Sequence, residues 1–295
     1  MGISLGAALG IIEDVRKRDI RGRVLTLGRQ DCSFTFNELL VGMSQRGMLA
    51  LNGNIATVSP QEKAVLDEFQ ANGRLLAPPR EDIQNKNHVS DEFFFRFIGF
   101  DSILSVDHAV DGGAFEGASV AYDLNDAGLG EIVGQNHLVY DGGTMEHIFN
   151  TPNVLRNIFD SLAVGGYVFH NSPTNNTVDH GFYQFSPTFF LDYYATNGYG
   201  DIEVYLTRGY AGRYDTRGDV ERLFGPNGWN LGSRMRYERG SLNQISYGGL
   251  DSAIYATVCY AKKLASTTFD RVPQQGAYVP LWDASGRRAD VRNAS

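Results

Sequence analysis

Residues 136–171 read NHLVYDGGTMEHIFNTPNVLRNIFDSLAVGGYVFHN. An apolar run, Asn136 to Tyr140, stops at Asp141, and a second, Gly166 to His170, stops at Asn171. Between them Val154, Leu155, Ile158, Phe159 and Leu162 recur at helical spacing. Pro152 suits the first turn of a helix over 151–163, and Gly165-Gly166 suits its end. Strand, helix, strand in that order builds a βαβ unit, whose parallel strands need a right-handed crossover.

The same pattern extends outward in both directions. Arg23 to Leu27 ends at Gly28, Ser102 to Val106 at Asp107, and Ala118 to Tyr122 at Asp123. Near-continuous apolar runs bounded by turn residues are strands buried on both faces, the kind that fill a parallel sheet. Ile202 to Leu206 and Ala253 to Val258 are expected to close the sheet as an antiparallel pair. The expected fold class is therefore α/β, with seven mostly parallel strands flanked by helices. Residues 187–197 read as a further helix stopped by Gly198. Near the start, Leu5, Leu9, Ile12 and Val15 line one side of a first helix. The apolar residues 1–12 have no basic segment before them, and Gly6 stands where a myristoylation pattern needs Ser or Thr. Neither a leader nor a lipid anchor is expected.

About 70 residues separate the first two strands, where a helix and two loops need far fewer. Residues 42–96 are read as a helical insertion at the carboxyl end of the sheet. It holds a helix over 60–71 and a polar loop over 77–88. Such a segment is either a lid over a ligand or a structural elaboration. A second, irregular insertion, rich in Gly, Arg and Tyr, spans 207–250, and could form a homodimer contact or an acceptor pocket. One domain over 1–285 is expected, with a flexible tail at 286–295.

The composition of the 295 residues narrows the function classes. Apolar residues make up 42% and charged residues 20%, so a packed core is affordable and disorder is excluded as the general state. The formal net charge is −8. That sign opposes a broad basic surface for nucleic acid or anionic membrane. No run approaches a membrane span. Cys32 and Cys259 alone make neither a disulfide framework nor a metal knuckle, so a reducing, cytoplasmic setting is expected.

Acids at the carboxyl ends of buried strands sit beside the ligand crevice of open α/β folds. Asp107, Asp123 and Asp141 take those places, although a lone Asp there is more often a turn or cap residue. Asp141, Gly142, Gly143, Thr144, Glu146 and His147 form the densest stretch: two glycines that admit a ligand to the backbone and three titratable groups for proton transfer. A second cluster follows His170: Asn171, Ser172, Thr174, then His180, Phe182 and Tyr183 in an aromatic run. It reads as a pocket wall, while Phe189, Phe190 and Tyr193 read as core. Asp141, Glu146 and His147 could instead hold a metal, but no H-x-x-x-H or comparable spacing appears, so no metal is expected, with a metal-dependent variant left open.

The strings SVDHAVDGGAFEGASVAYDLN, DGGTMEHIFN, LAVGGYVFHNSPTNN and HGFYQFSP, over roughly residues 23–206, resemble class I S-adenosylmethionine-dependent methyltransferases. They are most similar to bacterial methyltransferase-like proteins of surface-polysaccharide and secondary-metabolite pathways. The resemblance implies a Rossmann-like sheet and S-adenosylmethionine as cofactor. It places Gly28, Arg29 and Gln30 in the first cofactor loop, Asp107 and His108 at the ribose, with Asp111 as a substitute, and Asp123 and Leu124 around the adenine. Asp141, Gly142 and Gly143 would lie near the methionine end, with Thr144, Glu146 and His147 facing the reaction chamber. The first loop departs from the family pattern: Gly28-Arg29-Gln30-Asp31-Cys32 has one glycine where several are usual.

The implied activity is methyl transfer to an oxygen or nitrogen of a small polar acceptor, a sugar or natural-product intermediate. His180 or His147 would be the base, Glu146 its orienter, Asp141 a neighbour and Tyr183 a wall. Two alternatives stay open: non-methylating use of the same cofactor, and a catalytically silent scaffold.

Overall fold

A computed structural model describes residues 2–52, 55–77, 87–108, 119–208, 234–238 and 254–285. The chain enters through β1 (Gly2–Ser4) and α1 (Leu5–Arg18), then runs as β2 (Gly22–Leu27). β3 (Asp31–Ser33), α2 (Phe36–Gln45), β4 (Ala50–Asn52), β5 (Ile55–Thr57), α3 (Pro60–Ala71) and α4 (Asp91–Phe97) precede β6 (Phe100–Asp107). Next come β7 (Val120–Ala121), α5 (Leu129–Val133), β8 (Asn136–Asp141) and a 3-10 turn at Met145–His147. α6 (Thr151–Ser161), β9 (Leu162–Asn175), α7 (Pro187–Thr196) and β10 (Gly200–Arg208) follow, then β11 (Arg234–Arg236), β12 (Tyr255–Lys262) and α8 (Val279–Ser285).

One sheet holds all seven expected strands, in the order β11-β10-β12-β9-β8-β2-β6-β7. β9, β8, β2, β6 and β7 run parallel, and β12 is antiparallel to both β9 and β10. Sequence reading missed the eighth, the edge strand β11, three residues in the Gly- and Arg-rich segment after β10. From β2 the chain builds β6 and β7 on one side, then returns to build β8 and β9 on the other. The carboxyl ends of β2 and β8 therefore flank the point where strand order reverses, the place where open α/β sheets bind ligands.

Side chains alternate across the sheet because the strand period is two. Val24, Leu138, Tyr140, Tyr167, Phe169 and Tyr260 enter one core with α1, α2 and α4. Leu25, Leu27, Val139, Val168 and Cys259 enter the other with α6 and α7. The segment between β2 and β6 covers the first face: Phe93, Phe94, Phe95 and Phe97 of α4 are all buried there. Its first helix begins at Phe36, before the expected insertion, because Thr35 and Glu38 form a reciprocal capping box. The opening helix begins at Leu5, since Gly2–Ser4 pairs with Asp31–Ser33 and the Ser4 hydroxyl caps the helix. The strand expected over 253–258 is Tyr255–Lys262, and among the described residues 119–122 only Val120–Ala121 is strand. Residues 283–285 belong to α8. Asp111, the tail at 286–295 and most of 207–250 lie outside the described residues.

A charged cluster ties α1 to the far strand β10. The Arg18 guanidinium is buried over the Tyr260 ring, 4.4 Å from its centroid, and pairs with Asp14, Asp201 and Glu203. Burial pushes the Glu203 carboxyl up, but hydrogen bonds from Lys17 and Tyr205 and the charge of Arg18 outweigh it, holding the group at about 2. A carboxyl depressed below its ordinary 4.5 stabilises the fold above that value and loses the contribution as pH falls toward 2. Glu203→Gln is therefore expected to cost about 3 kcal/mol at neutral pH, and to flatten the acid limb of the stability curve. Urea melts across that pH range measure both; an unchanged acid limb would refute the account.

Candidate functional site

A cleft of about 550 Å³ opens at the carboxyl ends of β2, β6 and β8. Gly28, Arg29, Asp31, Val106, Asp107, His108, Tyr122, Asp123, Leu124, Asn125, Gly143, Thr144, His147 and Ile148 line it. Of the residues expected at the cofactor, Gly28, Arg29, Asp107, His108, Asp123, Leu124 and Gly143 are thus brought together. Tyr122, Asn125 and Ile148 were not anticipated.

The floor is a close crossing of two strand ends. Gly28 has φ +70°, a left-handed conformation that favours glycine, and its N–H donates to the Val106 carbonyl at 2.7 Å. Thr144 Oγ1 donates to the Leu27 carbonyl at 2.5 Å, and a Cβ on Gly28 would lie 2.6 Å from that hydroxyl. Gly28 is the single glycine of the loop 28–32. Asp107 takes the end of β6, accepting from the His108 N–H at 2.7 Å. Asp123 Oδ1 closes a turn by accepting from the backbone and side chain of Asn125, which holds its carboxyl below the usual range. Its Oδ2 faces the His108 ring, 3.9 Å away.

Three expected residues turn inward. Gln30 is buried, its amide donating to the Leu27 and Gly28 carbonyls, so it braces the loop from behind. Gly142 passes against Gln30 and the Tyr140 ring and does not line the cleft. Asp141 is wholly buried: Oδ1 accepts from the N–H groups of Thr144 and Met145, and Oδ2 meets His170 Nδ1 at 2.7 Å. His170 Nε2 in turn meets the Tyr194 hydroxyl at 2.5 Å. This Asp141–His170–Tyr194 chain orients the turn that carries Thr144, Glu146 and His147. It was invisible in sequence because its members come from β8, β9 and α7.

At the rim stands a second group. Glu146 is fully buried, and neither carboxylate oxygen has a hydrogen-bond partner. His180 Nε2 lies 3.7 Å and His147 Nε2 3.9 Å from Glu146 Oε1. The N–H groups of Phe182 and Tyr183 donate to the Glu146 carbonyl, at 2.8 and 3.3 Å. A Cβ at Gly181 would sit 2.8 Å from that carbonyl oxygen, so only glycine lets the 180–183 segment fold down onto Glu146. Burial, then the neighbouring Asp141, pushes the Glu146 carboxyl up to about 8. Burial and the adjacent His180 lower His147.

Beyond this cluster lies an exposed aromatic shelf. Phe149 and Phe182 are 68% and 65% exposed and meet edge to face, with ring centres 5.5 Å apart. Tyr183 lies against Phe149, and its hydroxyl donates to the Phe149 carbonyl at 2.9 Å. These two rings form an exposed apolar patch beside the polar cluster.

No protein-family model and no curated protein matches the chain. Solved structures do show similarity. A SAM-dependent methyltransferase from Archaeoglobus fulgidus is 12% identical, with 87% of this chain and 94% of that one covered and a TM-score of 0.36. TehB from Haemophilus influenzae is 15% identical over 68% of this chain and 62% of its own, with a TM-score of 0.32. Coclaurine N-methyltransferase, bound to N-methylheliamine and SAH, is 13% identical over 87% of this chain and 73% of its own, with a TM-score of 0.33. Among the described residues no helix is long and apolar enough to cross a membrane.

Proposed function

We propose that the protein transfers a methyl group from S-adenosylmethionine to an oxygen or nitrogen of a small polar acceptor. The observation that carries this reading is the cleft at the strand-order reversal, with Gly28 at its floor, Asp107 and Asp123 on one wall and a proton-accepting cluster at its rim. The lining suits the cofactor. Asp107 offers a carboxylate to ribose hydroxyls, Leu124, Val106 and Ile148 offer apolar walls to a base, and the left-handed turn at Gly28 exposes backbone to an amino-acid tail. The acids Asp31, Asp107 and Asp123 favour a cationic ligand.

When bound, the sulfonium supplies an already activated methyl group. What remains for the protein is alignment and the removal of one proton. The shelf of Phe149 and Phe182 holds an apolar face of the acceptor, such as the C–H face of a sugar. The Glu146–His147–His180 cluster, adjoining the cleft through His147, receives the acceptor's hydroxyl or amine. Asp141 acts from behind by fixing the turn.

Calorimetric titration of ligand-stripped protein with S-adenosylmethionine and S-adenosylhomocysteine tests the reading. Micromolar binding is expected, weakened about tenfold in Asp107→Ala, the scale of one lost hydrogen bond to a charged group. No binding up to millimolar concentration would overturn it. Product analysis then separates the chemistries: S-adenosylhomocysteine marks methyl transfer, and methylthioadenosine marks loss of the aminopropyl chain.

A further inference from the structure

We propose that Glu146, His147 and His180 bind one divalent transition-metal ion, of zinc's class, at the rim of the cleft.

Their ligand atoms, one from each side chain, all lie within 4.8 Å of one another. Tetrahedral coordination at about 2.1 Å requires donor separations of roughly 3.4 Å. The Glu146 oxygen already stands 3.7 Å and 3.9 Å from the two imidazole nitrogens. Small rotations of two partly exposed rings close the remaining gap. Two imidazoles and one carboxylate form a donor set suited to zinc, cobalt or nickel rather than magnesium, which prefers oxygen ligands and keeps its waters. Three protein ligands also leave a position open, the arrangement of a reactive rather than a structural site.

The buried Glu146 carboxylate is the independent observation. Both of its oxygens lack a hydrogen-bond partner, although buried polar groups are almost always satisfied. An ion between the carboxylate and the two rings satisfies it. The backbone is also committed to this arrangement: Gly181 and the two N–H groups donating to the Glu146 carbonyl hold His180 over the acid. Linear spacing conceals the site, because Glu146 and His147 are adjacent in the chain and His180 arrives from a loop after β9.

The ion's role rests on the methyl-transfer reading, but its binding does not. The cluster adjoins the cleft through His147, so a molecule taking the open position would lie beside it. An acceptor oxygen bound to the ion would give up its proton to bulk water more readily, so the ion would replace the two imidazoles as the activating group.

Metal-stripped full-length protein is titrated with Zn2+ by calorimetry and with Co2+ by visible absorption, with Mg2+ as a third arm. One Zn2+ per chain is expected, with the intense d–d bands of low-coordinate Co2+ and no saturable Mg2+ binding. Glu146→Gln and His180→Ala should each weaken Zn2+ binding about 100-fold or more, at least the loss seen when outer-shell partners of a metal are removed. The partly exposed His180 gives a variant that tests the site even if Glu146→Gln fails to fold. His88→Ala, a half-buried histidine outside the cluster, should change nothing. No saturable Zn2+ binding, binding that survives both variants, or binding lost in His88→Ala overturns the proposal. S-adenosylhomocysteine titrated into the same samples keeps the two readings apart. Cofactor binding without Zn2+ binding sinks the metal site alone, and Zn2+ binding without cofactor binding sinks the methyl-transfer reading alone.

Discussion

Asp141→Ala is expected to destabilise the protein by about 4 kcal/mol, the scale on which removing one member of a buried polar pair acts. Three donors lose their acceptor at once: the N–H groups of Thr144 and Met145 and Nδ1 of His170. Two of them cannot regain water, because Met145 and His170 are buried and Tyr194 closes the other side of the ring; only the half-buried Thr144 N–H borders the cleft. At roughly 2–4 °C per kcal/mol for a chain of this size, the melting temperature should fall by about 10 °C. Asp141→Asn should cost far less, about 1–2 kcal/mol, since its amide oxygen still caps the turn. Chemical denaturation of the two variants and of Tyr194→Phe checks the order. An Asp141→Ala protein as stable as the wild type, yet unable to bind S-adenosylhomocysteine, would return Asp141 to the cleft as a direct ligand.

The reason Asp141 deceives at the sequence level is general. A residue that ends a central strand is placed at the crevice by topology, but which way its side chain turns depends on the next four residues. Here Gly142 and Gly143 bend the chain so that the carboxylate points back under the 3-10 turn, and Thr144 rather than Asp141 meets the cleft. Asp123 shows the same competition half-resolved, with one oxygen closing a turn and the other free to face the cleft. The strands themselves were readable because apolar runs of five or six residues ending in Gly or Asp have few other solutions. So were α6 and α7, which Pro152 and Pro187 open and of which Gly198 closes the second; α6, expected to run to 163 and stop at Gly165-Gly166, ends at Ser161, and those glycines lie within β9.

What could not be read depends on long-range meetings with no local trace. Arg18 finds Glu203 across the sheet, and His180 finds Glu146 only because Gly181 permits the approach. β11, three residues long, carries no apolar alternation to betray it. One signal was present and missed: Thr35-Phe36-Asn37-Glu38 has the spacing of a capping box, and it fixes the start of α2.

Gly28→Val is expected to abolish cofactor binding while leaving the fold intact. Two effects combine at this position. A β-branched residue at φ +70° is strained by about 1–2 kcal/mol. In addition, its Cβ would stand 2.6 Å from Thr144 Oγ1, so Thr144 must leave the Leu27 carbonyl and the floor of the cleft must part. Gly47 separates the two effects. It has nearly the same conformation, φ +66°, but nothing lies within 4 Å of a Cβ there, and it does not line the cleft. Gly47→Val therefore carries the backbone strain without the collision. Both variants should melt a few degrees below the wild type, consistent with one or two kcal/mol. Only Gly28→Val should lose S-adenosylhomocysteine binding in calorimetry. Because the first loop offers this single glycine, no neighbouring residue can take over the close approach of backbone to ligand. If Gly28→Val bound the cofactor as tightly as the wild type, the crossing of β2 and β8 would not be the binding floor, and the ligand of this cleft would have to be sought among molecules that need no contact with it.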